Sequence, residues 1–261
     1  MMAPRSRPAI HRARDRQASY ALDVSSVVHP VTSDDNHSRV VQPARYESER
    51  PDVQPHIPLD ARRILDLGCC TGGLGAALKR RQDATVLGVE IDRDFAAQAR
   101  TRLDRVVTSD VELFLAGAAP AEAPFDCLIA ADVLEHLIDP WLALARAVDL
   151  LRPGATVVVS LPNVACFEAI RLLLRSGHWP REDTGVFDRT HLRWFTLDDG
   201  LDLLRQAGLR PTAVEPRYGN PVGWRLLWRQ VAANTPLHRF LPPQYIFRAV
   251  KDAAPGAVPD R

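Results

Sequence analysis

The chain has 261 residues, 46% hydrophobic and 25% charged, enough to bury a full core in one large domain with a tail or in two small domains. A formal net charge of +1 gives no basic excess for tracking a phosphate backbone, and no run approaches the roughly 18 apolar residues of a membrane span, which argues against nucleic-acid binding and against an integral membrane segment. Lys79 and Lys251 are the only lysines, so a Gly-Lys-Ser/Thr phosphate loop is missing, and four cysteines without Cys-x-x-Cys pairing suggest a reduced, cytoplasmic protein with no metal site.

Residues 1–42 are rich in Arg, Ser, His, Pro and Asp, hold no sustained period, and read as a poorly ordered tail. The Arg-rich first twenty residues also fit an organellar transit peptide, although the apolar face such a peptide needs is weak. Residues 43–261 are the expected folded domain. From Arg62 onward strands and helices alternate: a strand over 62–68, a helix over 71–81, a strand over 84–91, a helix over 93–103, and strands over 105–110 and 125–133. A helix opens at Asp139-Pro140, a cap followed by Pro at the first helical position, and should stop at Pro153-Gly154 before a strand over 155–162. Continuous apolar strands separated by helices predict a doubly wound α/β fold whose ligands bind at the carboxyl ends of the strands.

Residues 163–195 break the alternation and read as a cover over the crevice at the strand ends, carrying Phe167, Trp179, Phe187 and Arg193. A capping box at Thr196 and Asp199 starts another helix that stops at Gly208, and strands over 210–216 and 245–250 would finish the sheet. Between them, residues 217–243 read as an insertion. Within it, Trp224, Leu227, Trp228 and Val231 share one face of a predicted helix over 224–231, opposite Arg225 and Arg229, a face suited to docking on the domain or on a second copy in a homodimer.

Three acids follow strands in register: Asp66 before a Gly-rich loop, Glu90, and Asp110. On a parallel sheet they line one crevice, with Glu90 about twenty residues past the loop, where a carboxylate accepts from ribose hydroxyls. The Glu90 side chain should therefore face ligand and not core. A dinucleotide would need Gly at position 70, where Cys70 stands, and Asp66 would repel its diphosphate. Negative charge there suits a cationic ligand.

The loop DLGCCTG (66–72) resembles the D/E-x-G-x-G-x-G loop of class I S-adenosylmethionine-dependent methyltransferases, and GVEID (88–92), FDCLIAADVLEHLIDP (125–140) and LRPGATVVVSLPNV (151–164) resemble later motifs of their ubiquinone-biosynthesis-like, small-molecule branch. DRTHLRWFT (188–196) resembles a segment of bacterial members tied to glycan and secondary metabolism. The resemblance implies a mostly parallel seven-stranded Rossmann-like sheet with an antiparallel last strand, S-adenosyl-L-methionine as cofactor, and a sugar, lipid-linked glycan or quinone-like acceptor. It implies that Gly68 and Gly72 let the backbone approach the methionine part, that Glu90 holds the ribose, and that Asp110 with the Val111 backbone holds the adenine. Asp66 would orient the loop and the amino group, and Cys69, Cys70, Ile91, Ala131 and Asp132 would complete the cofactor site.

If the acceptor must lose a proton, His136 and His191 are the candidate bases, since both belong to segments facing the carboxyl edge of the sheet. Each also has a structural reading, His136 as a hydrogen bond at a helix start and His191 as a partner of Asp188. Two other functions compete with the methyltransferase: an NAD(P)-dependent oxidoreductase, disfavoured by Cys70 and Asp66, and a non-catalytic cofactor-binding regulatory or scaffold protein.

Overall fold

Apolar runs of four to eight residues become the strands of one sheet. β1 (Arg63–Leu67), β2 (Thr85–Glu90), β3 (Arg105–Thr108), β4 (Phe125–Ala131) and β5 (Leu151–Pro162) pair in parallel, and β6 (Leu209–Arg217) and β7 (Gln244–Lys251) complete the order β3-β2-β1-β4-β5-β7-β6. β7 is antiparallel to both its neighbours, β5 and β6. This computed structural model describes residues 47–218 and 235–252, all in the compact unit Gln42–Arg261. The expected tail and the expected helix over 224–231 lie outside the described residues.

Alternation of side chains along each strand sends one set to each face. Leu65, Leu67, Leu87, Val89, Leu128, Ala130, Val157 and Val159 meet α3 (Val111–Ala116), α4 (Pro140–Asp149) and, beyond α5 (Phe167–Ser176) in the chain, α6 (Leu197–Gln206) on one face. Ile64, Val86, Cys127, Ile129, Val158 and Ile246 meet α1 (Gly73–Arg81), the end of α2 (Arg93–Ala99), and Val53, Ile57 and Ala61 on the other. Two apolar layers therefore sandwich the sheet, and Cys127, like Cys166, is a small core side chain. Among the described residues no helix is long and apolar enough to cross a membrane.

Caps set the helix starts. Asp92 accepts from the Asp94 and Phe95 amides, Asp139 from Leu142 N, and Thr196 and Asp199 form the reciprocal box read from the sequence. Several boundaries differ from expectation. α2 ends at Ala99 rather than 103, β3 at Thr108 and β4 at Ala131, while α3, six residues long, carries too little periodicity to be read in advance.

The larger correction concerns Pro153-Gly154, which does not separate a helix from a strand. α4 stops at Asp149, and the pair lies inside β5, where Leu151 pairs with Phe125 and Thr156 with Cys127. The extra residues of β5 bulge out between those two pairs, with Gly154 at φ +76°, and Arg152 in the bulge donates to Asp126 Oδ1 at 2.6 Å. Asp126 also accepts from the Arg62 and Arg63 amides at 2.8 Å each, which locks the end of the sheet away from the crevice.

Candidate active site

The strand order reverses at β1, between β2 and β4, so a crevice opens at the carboxyl ends of β1 and β4. The loop after β1 turns through three left-handed residues, Gly68 (φ +66°), Cys70 (φ +48°) and Gly72 (φ +80°). A Cβ at Gly68 would meet Val133 Cγ2 at 2.5 Å, and one at Gly72 the Ala99 backbone at 3.1 Å, so glycine is demanded twice over by conformation and by space. Cys70 occupies the left-handed region without a glycine's freedom, so its departure from the glycine pattern is a matter of backbone conformation as well as side-chain size.

β2 holds the loop in place. Gly68 N and Cys69 N donate to Val89 O at 2.8 and 3.1 Å, and Cys70 N donates to Glu90 Oε2 at 2.9 Å. Glu90 Oε1 accepts from Asp92 N at 2.8 Å. Glu90, expected to face ligand, is buried and braces the loop through one oxygen and the start of α2 through the other. From the far side, Arg102 donates to Thr71 O and Oγ1, both at 3.0 Å.

Charge distinguishes the ligands this loop accepts. Asp66 is buried on the Ile64 face of β1, and burial together with the nearby Glu90 carboxylate pushes its carboxyl up to about 7, with Arg50 pulling the other way. Burial likewise raises Glu90, against the pull of the Asp92 and Cys70 amides. Burial, then the Asp66 and Glu90 carboxylates, push both the Cys69 and Cys70 thiols up, so both stay protonated and are poor nucleophiles. Two crowded acids short of positive charge fit an ammonium and a sulfonium and oppose a diphosphate.

Asp110 caps α3, its Oδ1 accepting from Leu113 N at 3.0 Å, and buried Val111 follows as the first helical residue. Ile91, 64% exposed, leaves an apolar side chain open just past the end of β2. Ala131 ends β4, and Asp132 follows in the left-handed region (φ +59°) at the centre of a polar network. Its Oδ2 takes Arg50 Nη1 at 2.8 Å, and its Oδ1 accepts from Ser160 Oγ and Gln244 Nε2. Arg50 is also paired with Asp52, which Arg217 reaches at 2.6 Å. The sequence reading missed Arg50, Ser160 and Gln244; Arg50 carries no motif and lies outside the alternating segment, and only the fold brings it 82 positions along the chain to Asp132.

The two histidines come together beyond the end of β4. His136 ends a 3-10 turn, Leu134–His136, and lies half-buried, while His191 is buried against it with ring centroids 4.8 Å apart, edge to face. His136 Nδ1 lies 3.2 Å from Thr190 O and 3.1 Å from Thr190 Oγ1. His191 Nδ1 lies 3.4 Å from Val186 O, and its Nε2 is 4.0 Å from Oε1 of buried Glu135. The Asp188 carboxylate, expected beside His191, accepts from Thr190 N and Oγ1. One ligand atom each from Glu135, His136 and His191 falls within 4.8 Å of the others, wider than the roughly 3.3 Å edge of a tetrahedral zinc site.

Residues 163–195 are fastened to that corner. Glu135 O accepts from Leu192 N and Arg193 N at 2.8 and 3.0 Å, and Arg193 Nη2 donates to Ile138 O. Phe187 is buried with Cys166 and Ala169, and Trp179 packs edge-on against Phe187 and Trp194, while Phe167 is largely exposed.

A doubly wound sheet with an antiparallel strand in second-last position, and a loop rimmed by acids instead of phosphate-binding groups, define a class I S-adenosylmethionine-dependent methyltransferase. Comparison with known proteins agrees: a family model described as a methyltransferase domain matches residues 32–214, and the chain belongs to that family. A ubiquinone biosynthesis O-methyltransferase from Roseobacter denitrificans is 30% identical over 190 residues, 70% of this chain and 75% of that protein. A trans-aconitate 2-methyltransferase from Methylobacterium radiotolerans is 35% identical over 147 residues, 52% of this chain and 54% of that protein. Among solved structures, a SAM-dependent methyltransferase from Archaeoglobus fulgidus shares the fold, with TM-score 0.57 at 19% identity over 80% of this chain and 94% of that one. The protein is an enzyme that uses S-adenosyl-L-methionine to methylate a small molecule.

Proposed function

We propose that the acceptor is a phenolic or quinol-type hydroxyl held beneath residues 163–195, and that His136 takes its proton. The observation that carries this reading is the placing of His136: half-buried after β4, beside the segment that would cover an acceptor, whereas His191 is shut behind it. The likeness to ubiquinone biosynthesis O-methyltransferases supports an aromatic hydroxyl over a sugar or lipid-linked glycan.

The cofactor supplies an activated methyl group and departs as a neutral thioether. The remaining work is alignment at roughly 3–3.5 Å and removal of a proton. In this reading Asp66 faces the cofactor's ammonium, Gly68, Cys69, Cys70 and Gly72 give it backbone, Glu90 and Ile91 meet the ribose, and Asp110 and Val111 the adenine. Ala131 and Asp132 close the crevice floor, and Arg50, tied to Asp132, is the cation for the cofactor's carboxylate.

Mass spectrometry of a panel of catechols, sugars and carboxylic acids incubated with the enzyme and S-adenosylmethionine tests the proposal. The expected result is one methyl gained on a catechol oxygen, with His136→Ala slowing turnover by about 10²–10⁴-fold and leaving S-adenosylhomocysteine affinity intact. Full activity of His136→Ala on a catechol would sink the base assignment. Methylation of carboxylic acids alone would favour the second reading, prompted by the trans-aconitate methyltransferase, in which an already ionised acceptor needs no base.

A further inference from the structure

The two ring nitrogens of an imidazole are not equivalent, and the partner of one decides the chemistry of the other. His136 Nδ1 faces two groups of the same residue, Thr190 O at 3.2 Å and Thr190 Oγ1 at 3.1 Å. A carbonyl oxygen only accepts. The hydroxyl's proton is committed elsewhere, because Thr190 Oγ1 donates to Asp188 Oδ1 at 2.6 Å, so towards His136 the hydroxyl accepts as well. Both contacts thus require a proton on Nδ1.

Neutral His136 with Nδ1 protonated carries its lone pair on Nε2. That is the opposite of the tautomer imidazole favours in water. Asp188 is itself fixed, since its Oδ1 also accepts from Thr190 N at 2.9 Å, which closes a tight turn around the pair. The turn is docked on the His136 segment by Leu192 N and Arg193 N, both donating to Glu135 O. An acid, a hydroxyl and an imidazole stand in line, the logic by which a buried acid fixes a histidine's tautomer in hydrolase triads.

We propose that Thr190, oriented by Asp188, is a positioning residue that holds His136 in the Nδ1–H tautomer and so makes Nε2 the proton acceptor. This rests on the reading of His136 as the base. It adds that the base is set by the segment covering the acceptor: undocking residues 188–193 removes the groups that dictate the tautomer. Thr190 and Asp188 are residues that composition and motif spacing had left without a role in proton transfer.

The test needs no acceptor. Two-bond proton–nitrogen correlation spectra of the uniformly nitrogen-15-labelled full-length protein, recorded with S-adenosylhomocysteine at a pH where imidazoles are neutral, report which nitrogen of each histidine bears the proton; His136→Asn identifies the His136 signal. The expected result is Nδ1–H in the wild type, a partial shift towards Nε2–H in Thr190→Val and in Asp188→Asn, where the Thr190 carbonyl alone still calls for a proton on Nδ1, and return to the wild-type pattern in Thr190→Ser. Unchanged S-adenosylhomocysteine affinity confirms that the variants are folded, and Thr190 is exposed, so its replacement leaves the core intact. Nε2–H in the wild type overturns the proposal, as does a Thr190→Val spectrum identical to it. Because the tautomer is read without turnover, a failure here is separable from a failure of His136 as base, which the activity of His136→Ala reports.

Discussion

Replacing Asp66 by Asn tests the electrostatic account of the loop. In the unfolded chain the Asp66 carboxyl titrates near 3.8; in the fold, burial and Glu90 hold it at about 7. Between those values the folded protein keeps a proton that the unfolded chain has released. The folded state binds more protons, so stability falls as pH rises through this window and levels off above about 7. At about 1.36 kcal/mol for each tenfold change in the proton equilibrium, the loss is on the order of 4 kcal/mol. Asparagine has nearly the same shape and no such titration. Urea unfolding of the cofactor-free proteins at several pH values from about 5 to 8 should show the variant gaining on the wild type by about 2.7 kcal/mol as pH rises, the share of that change that falls above pH 5. Calorimetry should show the complement: S-adenosylhomocysteine, whose ammonium is protonated throughout, binds the wild type more tightly as Asp66 ionises and binds the variant with little pH dependence. Stability curves that run parallel for the two proteins would refute the argument.

Two further substitutions probe the same loop. Cys70→Gly should relieve a left-handed residue and raise stability by up to about 1 kcal/mol, the roughly 1–2 kcal/mol of strain less the added freedom of glycine in the unfolded chain, while branched Cys70→Val should lose more than about 1 kcal/mol; equal melting temperatures for all three proteins would remove conformation as the reason for the glycine pattern. Glu90→Ala should weaken S-adenosylhomocysteine by roughly 1.5–3 kcal/mol and, because it strips the Cys70 and Asp92 amides of their acceptor, also lower the stability of the cofactor-free protein by about 1–3 kcal/mol; a loss of affinity without any loss of stability would show that the bracing hydrogen bonds carry nothing.

The parts of this molecule that were legible in its sequence are those where chemistry is local. Five parallel strands showed as apolar runs, caps at Asp139 and Thr196 announced their helices, and the loop after β1 displayed its acids and glycines within a few positions. Where the answer depends on pairing, the local signal misleads. Pro153-Gly154 reads as a break by every turn rule, yet β4 tolerates the extra residues as a bulge because Asp126 gives Arg152 a partner. Strand ends drew attention to the acids but did not show the bonds they make within the fold: Asp110 caps α3 and Glu90 braces the loop, duties visible only once the amides they accept from are placed. Arg50, Ser160 and Gln244 come from three distant segments and meet at Asp132 solely through the fold.

β7 runs against the rest of the sheet, and this has a consequence for how such an enzyme diversifies. Because β6 and β7 pair antiparallel from Leu209–Lys251 to Arg217–Gln244, with one shift of register between Pro211 and Ala213, the chain leaves β6 and re-enters β7 at the same edge as the crevice. Both gateposts are engaged there, Arg217 with Asp52 and Gln244 with Asp132. Whatever length of chain joins them starts and ends at two fixed anchors beside the crevice, and strand register elsewhere is indifferent to it. The connection can therefore change in length without disturbing the pairing of β1 to β5, the strands whose ends form the crevice.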